Sequence, residues 1–514
     1  MRAALFEERE EWFATVLADR DEQIAVLKAE VIRLRHGHQS ERLGADGRAE
    51  PSGQQPAPSP GGGRGQRPGR PGHGRRRQDH LPLDEVVVEP AADQLRCERC
   101  GARFEPFGED SGEQIDWQVV VRRVRHRRPR YRRTCRCPGR AIVQAPPPLK
   151  VIPKGLFTAG FIAHLVILKY LVGLPVQRAV GLLAMEGLEL SPGTLSGVLS
   201  RVGVLLAPLA GAIREHNRAS AFLHADETSW PVFTLLEGKD GHYWWLWVFV
   251  GPDSVCYLVK PRRSAAVVAE HLGIDLDSPL PALPEDRSLV LHSDRYSVYD
   301  SLGLKVAGVI NVWCWAHVRR DFVGVRDRHP ALRPWAVRWL ERIAGLYRAY
   351  RRWEPDDPEV ARAEERQCAV AERVEEMRRA LDRELASRRL RAPARKVLES
   401  LDRFWEGLAL HFEEPGLPLD NNTAERALRS PVVGRKNYYG SGARWSAELA
   451  ADAWTVLGTA AMAGWDQRRY LLDYLDACAH SGGRPPDSHL EPWLPWTAGA
   501  GAVRWAKGPP PDTS

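Results

Sequence analysis

Cysteine and long apolar runs are scarce in this sequence, and each scarcity excludes a class of protein. Eight cysteines among 514 residues are too few for a disulfide scaffold, and they suit metal binding or core packing in a reducing compartment. The most apolar stretch, residues 155–175, contains His164 and Lys169 and falls short of the ~20 apolar residues that span a bilayer. Charged residues follow Met1 too soon for a signal peptide. We therefore expect a cytoplasmic protein without a membrane span.

Positive charge is concentrated in one part of the chain. The net charge is 73 − 66 = +7, and residues 44–140 contain 20 Arg or Lys and 13 Asp or Glu, a difference of +7. The whole excess therefore lies in that window, attached to a neutral body. This pattern favours an arm that binds a polyanion, most often nucleic acid, and a solubilising linker is the alternative.

The first 75 residues predict two different kinds of segment. Leu17, Ile24 and Val31 recur every seven residues, which predicts a short coiled coil and hence self-association. A single amphipathic helix packed on its own protein is the alternative. Glycine and proline make up 14 of the 25 positions 51–75, so this stretch buries too little apolar surface to order itself and is predicted to be a flexible linker.

Two close pairs of cysteines predict a structural zinc site. Cys97 and Cys100 form the first pair, and Cys135 and Cys137 form the second, tighter one. Zinc takes four thiolate or imidazole ligands in a tetrahedron, and a short pair on a tight turn presents two sulfurs together. His126, which lies between the pairs, could replace one of the sulfurs.

Arginine is unusually dense between the two cysteine pairs, where it occupies nine of the fifteen positions 122–136. Guanidinium groups bind phosphate through two parallel hydrogen bonds. A run of charge is often only a solvated face, but one attached to a zinc-stapled hairpin is well placed to bind duplex DNA. The predicted DNA contacts are Arg122, Arg123, Arg125, Arg127, Arg128, Arg130, Arg132 and Arg133.

The middle of the chain predicts helices, then a sheet, then more helices. Residues 176–185 and 193–204 read as two helices joined by a turn and capped at Ser191, a helix-turn-helix outline that simple bundles also contain. Residues 319–412 have helical spacing and predict a long helical insertion. Between these regions, a mixed sheet covered by helices is predicted from strand-like segments at 221–226, 242–250, 254–259, 288–292 and 309–314, with a helix at 264–272.

Three acidic residues stand out by their positions. Asp226 ends an apolar strand, Asp294 follows another, and Glu425 lies near the start of a capped helix. Carboxylates at such places are uncommon in a core, because burying an unpaired charge is costly. Together they would supply the oxygen ligands that Mg²⁺ prefers, and two such ions can clamp a phosphodiester displacement. Glu227 and Asp300 are nearby competitors for these roles.

Several motifs resemble one family over nearly the whole chain. The motifs run 224–228 (HADET), 292–294 (HSD), 314–322 (CWAHVRRDF), 420–429 (DNNTAERALR) and 434–438 (GRKNY). They resemble the transposases of insertion-sequence family 66, which belong to the DDE group. The resemblance implies that Asp226, Asp294 and Glu425 are the catalytic residues and hold two Mg²⁺ (or Mn²⁺) ions. It also implies roles near DNA for His317, Arg426 and Lys436.

The resemblance completes the expected architecture. The fold class is α/β, with an RNase H-like mixed-sheet core and a large all-α insertion, preceded by a coiled-coil helix, a small zinc-binding domain and a helical domain. The expected segments are 1–43 (coiled coil), 44–80 (linker), 81–148 (zinc-binding, DNA-binding domain), 149–218 (helical region), 219–322 (first catalytic part), 323–415 (insertion), 416–445 (catalytic part with the Glu) and 446–514 (C-terminal helices and tail).

The expected function follows from that architecture. A transposase of this kind would bind the terminal inverted repeats of its element, cleave phosphodiester bonds and transfer the 3′ ends to target DNA. We expect double-stranded DNA as partner, one structural Zn²⁺, a homodimer or higher homo-oligomer associated with the nucleoid, and room for accessory proteins of the same element. A non-catalytic zinc-finger DNA-binding protein (an inactive transposase or a regulator) and a nuclease that cuts without joining are the alternatives.

Overall fold

A computed structural model describes most of the chain from residue 120 onward. The predicted coiled coil, the linker and all four cysteines of the predicted zinc site lie outside the described residues. Described residues from 124 to 506 belong to one compact unit, and those before 124 belong to a second. The described residues are 95, 99, 102–103, 120–132, 134, 140, 142–234, 242–284, 287–352, 360–413, 416–486, 489–499 and 504–506. At residues 352 and 360–364 the backbone alone is described.

A small exposed hairpin opens the compact unit. Strands β1 (Arg130–Arg132) and β2 (Ile142–Gln144) pair antiparallel, with Tyr131 opposite Val143. All six strand residues are exposed, so the hairpin presents side chains to solvent on both faces. Part of the arginine run therefore lies on a strand.

In the part of the chain that the structure describes, three helices precede the main sheet: α1 (Ala159–Tyr170), α2 (Val176–Met185) and α3 (Pro192–Arg218). Helix α3 begins as its sequence dictates, because Ser191 Oγ accepts the N–H of Thr194 at 3.2 Å and Pro192 occupies the first turn. Among the described helices, α3 is long and apolar enough to cross a membrane. Its apolar side is instead buried in the protein, with Leu206 and Leu209 fully inaccessible.

The main sheet has five strands in the order β5-β4-β3-β6-β7. Strands β3, β4 and β5 pair antiparallel, whereas β3 pairs parallel with β6 and β6 pairs parallel with β7. This confirms the predicted mixed sheet. The strands are β3 (Phe222–Pro231), β4 (Tyr243–Val250), β5 (Val255–Lys260), β6 (Leu289–Ser293) and β7 (Val309–Trp313), with helices α4 (Ala265–Leu272) and α5 (Ser297–Lys305) between them.

Helices make up the rest of the described chain. Five of them follow β7 and form the helical insertion, and three more follow the insertion. The first five are α6 (Trp315–Arg328), α7 (Arg333–Arg352), α8 (Val360–Leu385), α9 (Ala392–Arg403) and α10 (Trp405–Glu413). The last three are α11 (Asn422–Tyr438), α12 (Arg444–Met462) and α13 (Gln467–His480).

The sheet separates two hydrophobic cores because side chains alternate between its faces. On one face, Leu246 and Val248 of β4 pack with apolar residues of α1, α3, α11, α12 and α13. On the other face, Trp247 and Phe249 pack with α4, α5 and the helical insertion. The helices before the sheet and those at the far end of the chain therefore share one core.

Helix α11 crosses the first of these faces in spite of an internal proline. Pro431 has no N–H, so the carbonyl of Ala427, four residues earlier, has no helical partner. The hydroxyl of Tyr257, on β5, donates a hydrogen bond of 2.9 Å to that carbonyl. A side chain of the sheet thus supplies the donor that the helix lacks, and it fixes α11 against β5.

We expect Tyr257→Phe to lower the free energy of unfolding by about 1–2 kcal/mol, because it leaves a partly buried carbonyl without a donor. Urea denaturation of both proteins would measure the loss. In a Pro431→Ala background the helix regains an N–H for Ala427, so the same substitution should cost much less. An equal cost in both backgrounds would show that the hydroxyl does not act through that carbonyl.

Candidate active site

Asp226 lies on β3, and Asp294 directly follows β6, the parallel strand paired with β3. His224 of β3 pairs in register with His292 of β6. Asp226 and Asp294 each follow two residues after these histidines, Asp226 within β3 and Asp294 immediately past the end of β6. Asp226 is paired with Val248, which places it on the face that α11 covers.

Asn421 brings the third acid to the same region. Its Nδ2 donates to the carbonyl of Ala225 at 2.7 Å, and its Oδ1 accepts from Nδ1 of His224 at 2.9 Å. Its backbone N–H donates to Sγ of Cys314 at 3.2 Å, and the residue is 1% exposed. Because Asn421 is the residue just before α11, these bonds fix the start of that helix beside Asp226, and Glu425 lies one turn further along.

The pKa of the Asp226 carboxyl is raised by its burial and by the neighbouring carboxylates. Desolvation raises the pKa of Asp226 to about 7, and the charges of Glu227, Asp294 and Glu425 add to the rise. The backbone N–H of Glu227, 2.8 Å from Oδ1, acts in the opposite direction. Asp294 in turn accepts the backbone N–H of Tyr296 at 3.0 Å. Asp226 is therefore close enough to Asp294 and to Glu425 to feel the charge of each.

The donor chemistry of this region fits a divalent cation, although the carboxylates stand apart. Carboxylate oxygens are the ligands that Mg²⁺ takes in proteins, and mutual repulsion of uncompensated carboxylates favours a cation between them. Within the described ranges, no three His, Cys, Asp or Glu side chains lie close enough together to hold one metal ion. The three acids would have to draw together around an ion.

Glu227, the competitor next to Asp226, faces the opposite side of the sheet. It is paired with Trp247 of the second core, and its Oε1 accepts Nε of Arg263 at 2.8 Å. The hydroxyl of Tyr299 donates to its other oxygen. Glu227 is thus held by half-buried Arg263 and buried Tyr299 on the face opposite Asp226. The other competitor, Asp300, lies on α5 and accepts a hydrogen bond from Arg403.

The side chains of His317 and Arg320 lie next to Glu425. His317, in the first turn of α6, has Nε2 3.9 Å from Oε1 of Glu425, and Nη2 of Arg320 is at the same distance. Desolvation and the charge of Arg320 lower the pKa of His317, against Asp294 and Glu425, which raise it. Arg426 and Lys436 are exposed on α11. Arg320 was not among the predicted residues, although its spacing of three from His317 on a helix could have indicated it.

Three buried histidines pack together, and one of them, His224, lies two residues before Asp226 on β3. The ring centroids of His224 and His292 are 4.9 Å apart, and those of His292 and His411 are 5.2 Å apart. Burial lowers the pKa of His224 and of His411 to about 4, and it lowers the pKa of His292 as well. The three rings are therefore neutral near pH 7, and they add no positive charge next to Asp226.

The predicted arginine contacts lie in the first part of the described chain. Arg128 is half-buried, and its Nε donates to the carbonyl of Ala145 at 2.9 Å across the hairpin. Arg133 lies outside the described residues, as do the four cysteines. The remaining predicted arginines are all exposed: Arg122, Arg123, Arg125, Arg127, Arg130 and Arg132.

Comparison with known proteins identifies the family. Residues 154–449 match the sequence model of a family described as "Transposase IS66 family". Two similar proteins of Sinorhizobium fredii (strain NBRC 101917 / NGR234) are named uncharacterized protein y4hP and uncharacterized protein y4jD. Each is 27% identical to this chain and covers 81% of it, and the matches span 75% and 80% of their own lengths. No solved structure matches. The family match covers more than half of the chain and includes all three acids, and the chain therefore belongs to the IS66 transposase family.

Proposed function

We propose that this protein is a DNA transposase that binds the terminal inverted repeats of its own element, cleaves phosphodiester bonds there and transfers the 3′ ends to target DNA. One observation carries the proposal. Asp226 lies on β3 and Asp294 directly follows β6, the parallel strand paired with β3, and Asn421 holds the helix of Glu425 against β3. Asp294 is 68 positions from Asp226 in the sequence (294 − 226), and Glu425 is 199 positions away (425 − 226). The fold nevertheless brings both acids into the region of Asp226.

The catalytic core in this proposal is RNase H-like. It is supported by a five-stranded mixed sheet in which Asp226 lies on one strand and Asp294 follows the end of its parallel neighbour, and by a helical insertion between the second and third acids. The segment limits given from the sequence belong to the same proposal. They place the catalytic parts at 219–322 and 416–445 and the insertion at 323–415.

Asp226, Asp294 and Glu425 would together hold two Mg²⁺ (or Mn²⁺) ions, which supply charge stabilisation for the phosphodiester and activate the attacking water or 3′-hydroxyl. Other residues of the chain would orient these carboxylates and neutralise the charge of the phosphate. The backbone N–H groups of Glu227 and Tyr296 each fix one carboxylate oxygen of an acid and leave the second free. Arg320 lies where a phosphate next to Glu425 would need a positive partner, and the ring of His317 lies at the same distance from Glu425.

The rest of the chain would locate and pair the DNA ends. The arginines of 122–133, with His317, Arg426 and Lys436, would contact phosphates, and the segment 149–218 would help to read the ends. A zinc ion on Cys97, Cys100, Cys135 and Cys137 would hold the basic hairpin in shape. The coiled coil of 1–43 would pair protomers so that two ends are handled together.

Metal removal tests the proposal directly. Purified full-length protein would be incubated with labelled duplexes that carry the element's ends and with a supercoiled plasmid as target, and products would be separated on denaturing gels. We expect cleavage and joined products with Mg²⁺ or Mn²⁺, none with EDTA, and recovery when Mg²⁺ is restored in excess. Binding of the duplex should persist in a buffer from which Mg²⁺ and Mn²⁺ are simply omitted, because that omission leaves a bound zinc in place.

Each of the other possible outcomes would contradict part of this proposal. Binding without cleavage in either metal would identify a non-catalytic DNA-binding protein. Cleavage without joined products would identify a nuclease. Undiminished cleavage in EDTA would contradict the metal-dependent mechanism.

A further inference from the structure

The outer face of α11 carries cations that lack acidic partners. Elsewhere exposed arginines are often paired, as in Arg373 with Glu376 at 3.0 Å or Arg444 with Glu448 at 2.8 Å. In the described part of the chain, Arg426, Arg429 and Lys436 of α11 form no ion pair. The unpaired cations therefore leave a local positive charge on one helix.

These cations fall on a single stripe. The cations at 426, 429 and 436, with Val433 between the last two, follow the spacing of three and four residues that keeps side chains on one face of a helix, and all four residues are exposed. The opposite face is anchored, since Nη1 of Arg435 donates to Oγ1 of Thr228 at 3.0 Å and Leu428 is buried in the core. The stripe is thus held rigidly toward solvent.

The stripe begins beside the acids and leads away from them. Arg426 follows Glu425 directly, and Lys436 lies ten residues further along. At 1.5 Å per residue the stripe is about 15 Å long. That length corresponds to about four nucleotides of one strand along a duplex axis.

A strained residue lies just past the far end of the stripe. Tyr439 has a left-handed backbone with φ of 64°, at the position after a helix where glycine is usual. Its side chain is exposed, with 72% of the residue accessible, so packing does not offset the strain. Gly440 follows with φ of 132°, and a Cβ there would collide with the carbonyl oxygen of Pro231. The turn is therefore fixed, and Tyr439 presents its ring to solvent.

We propose that this face of α11, from Arg426 through Arg429 and Lys436 to Tyr439, binds one strand of the DNA that enters the acid site. The cations contact successive phosphates, and the ring of Tyr439 stacks on a base or sugar beyond them. Arg429 and Tyr439 are the new contacts. The inference rests on the proposed function, because it takes DNA as the ligand of the neighbouring acids.

The salt dependence of DNA binding tests Arg429. Fluorescence anisotropy would follow the full-length protein on a 30-base-pair duplex of mixed sequence, at KCl concentrations from 50 to 300 mM without divalent ions. We expect Arg429→Gln to reduce the slope of log K against log salt by about 0.9, and to weaken binding by about eightfold at 0.1 M. Arg379→Gln, the same change on an exposed position of α8, should alter neither quantity.

Tyr439 is tested by a pair of substitutions. Tyr439→Gly removes the ring and suits the left-handed backbone, so the thermal midpoint should stay equal or rise while binding weakens about fivefold or more. Tyr439→Phe keeps the ring and should bind as the wild type does.

The outcomes separate the inference from the proposed function. If the wild type does not bind the duplex at all, the proposed function fails. If the wild type binds but Arg429→Gln has the wild-type slope, or Tyr439→Gly binds as well as Tyr439→Phe, the strand does not lie along α11 and only this inference is overturned.

Discussion

Asp226→Asn, Asp294→Asn and Glu425→Gln should each reduce cleavage of element-end DNA by about 10³-fold or more, while binding of the same DNA persists. Each change keeps the shape of the side chain and removes its charge, so the site loses a ligand worth several kcal/mol of transition-state stabilisation. Single-turnover cleavage in Mg²⁺, with anisotropy for binding, would measure both effects.

Asp300→Asn is the matched control for these variants. Asp300 is an acid of the same sheet region, but it lies on α5 and accepts its hydrogen bond from Arg403 rather than facing the three acids. This variant should cut at nearly the wild-type rate. If any one of the three acid variants cut as fast as the Asp300→Asn protein, that acid would lose its assignment as a ligand.

Asn421→Ala should lower the free energy of unfolding by about 3 kcal/mol and reduce cleavage sharply. The change leaves two buried groups without partners, the carbonyl of Ala225 and Nδ1 of His224, and each such loss costs about 1–3 kcal/mol. It also frees the start of α11, and Glu425 with it, from β3. Urea denaturation and the cleavage assay would report the two effects separately.

The neighbouring residue supplies the control for this second prediction. Asn422 is exposed, and its Nδ2 reaches only Oδ2 of Asp420 at 3.3 Å. Asn422→Ala should therefore change the free energy of unfolding by less than about 0.5 kcal/mol. Equal stability of the two alanine variants would mean that the bonds of Asn421 do not hold α11 in place.

Local sequence predicted much of the fold where short-range signals agree. The helix predicted at 176–185 has those same limits in the structure, and the five strand segments lie within a few residues of β3–β7. Helix α3 was predicted to end at 204, but it continues to Arg218 through Pro208. Buried Leu205, Leu209 and Ile213 extend it, since their packing outweighs the hydrogen bond lost at the proline.

The site was harder to predict, because its geometry depends on distant pairings. Alternation along β3 separates the face of Asp226 from that of Glu227, and this could be read locally. The approach of Asp294 to Asp226 depends on the pairing and register of two parallel strands, which no local pattern fixes. Asn421 was overlooked because asparagine before a helix normally caps that helix, whereas here its side chain bonds to β3, 197 positions away from His224.

The core that joins the two ends of the described chain bears on when a newly made protein matures. The indole N–H of Trp454 in α12 donates to the carbonyl of Tyr170 in α1 at 2.8 Å, 284 positions apart. At about 5–20 residues per second, a ribosome needs some 14 seconds or more to cover that interval. Helices α1 and α3 must wait through this period with their apolar sides uncovered. Folding of this core is therefore completed only after α12 has been synthesised, and the helix of Glu425, which packs in the same core, gains its final support at that late stage.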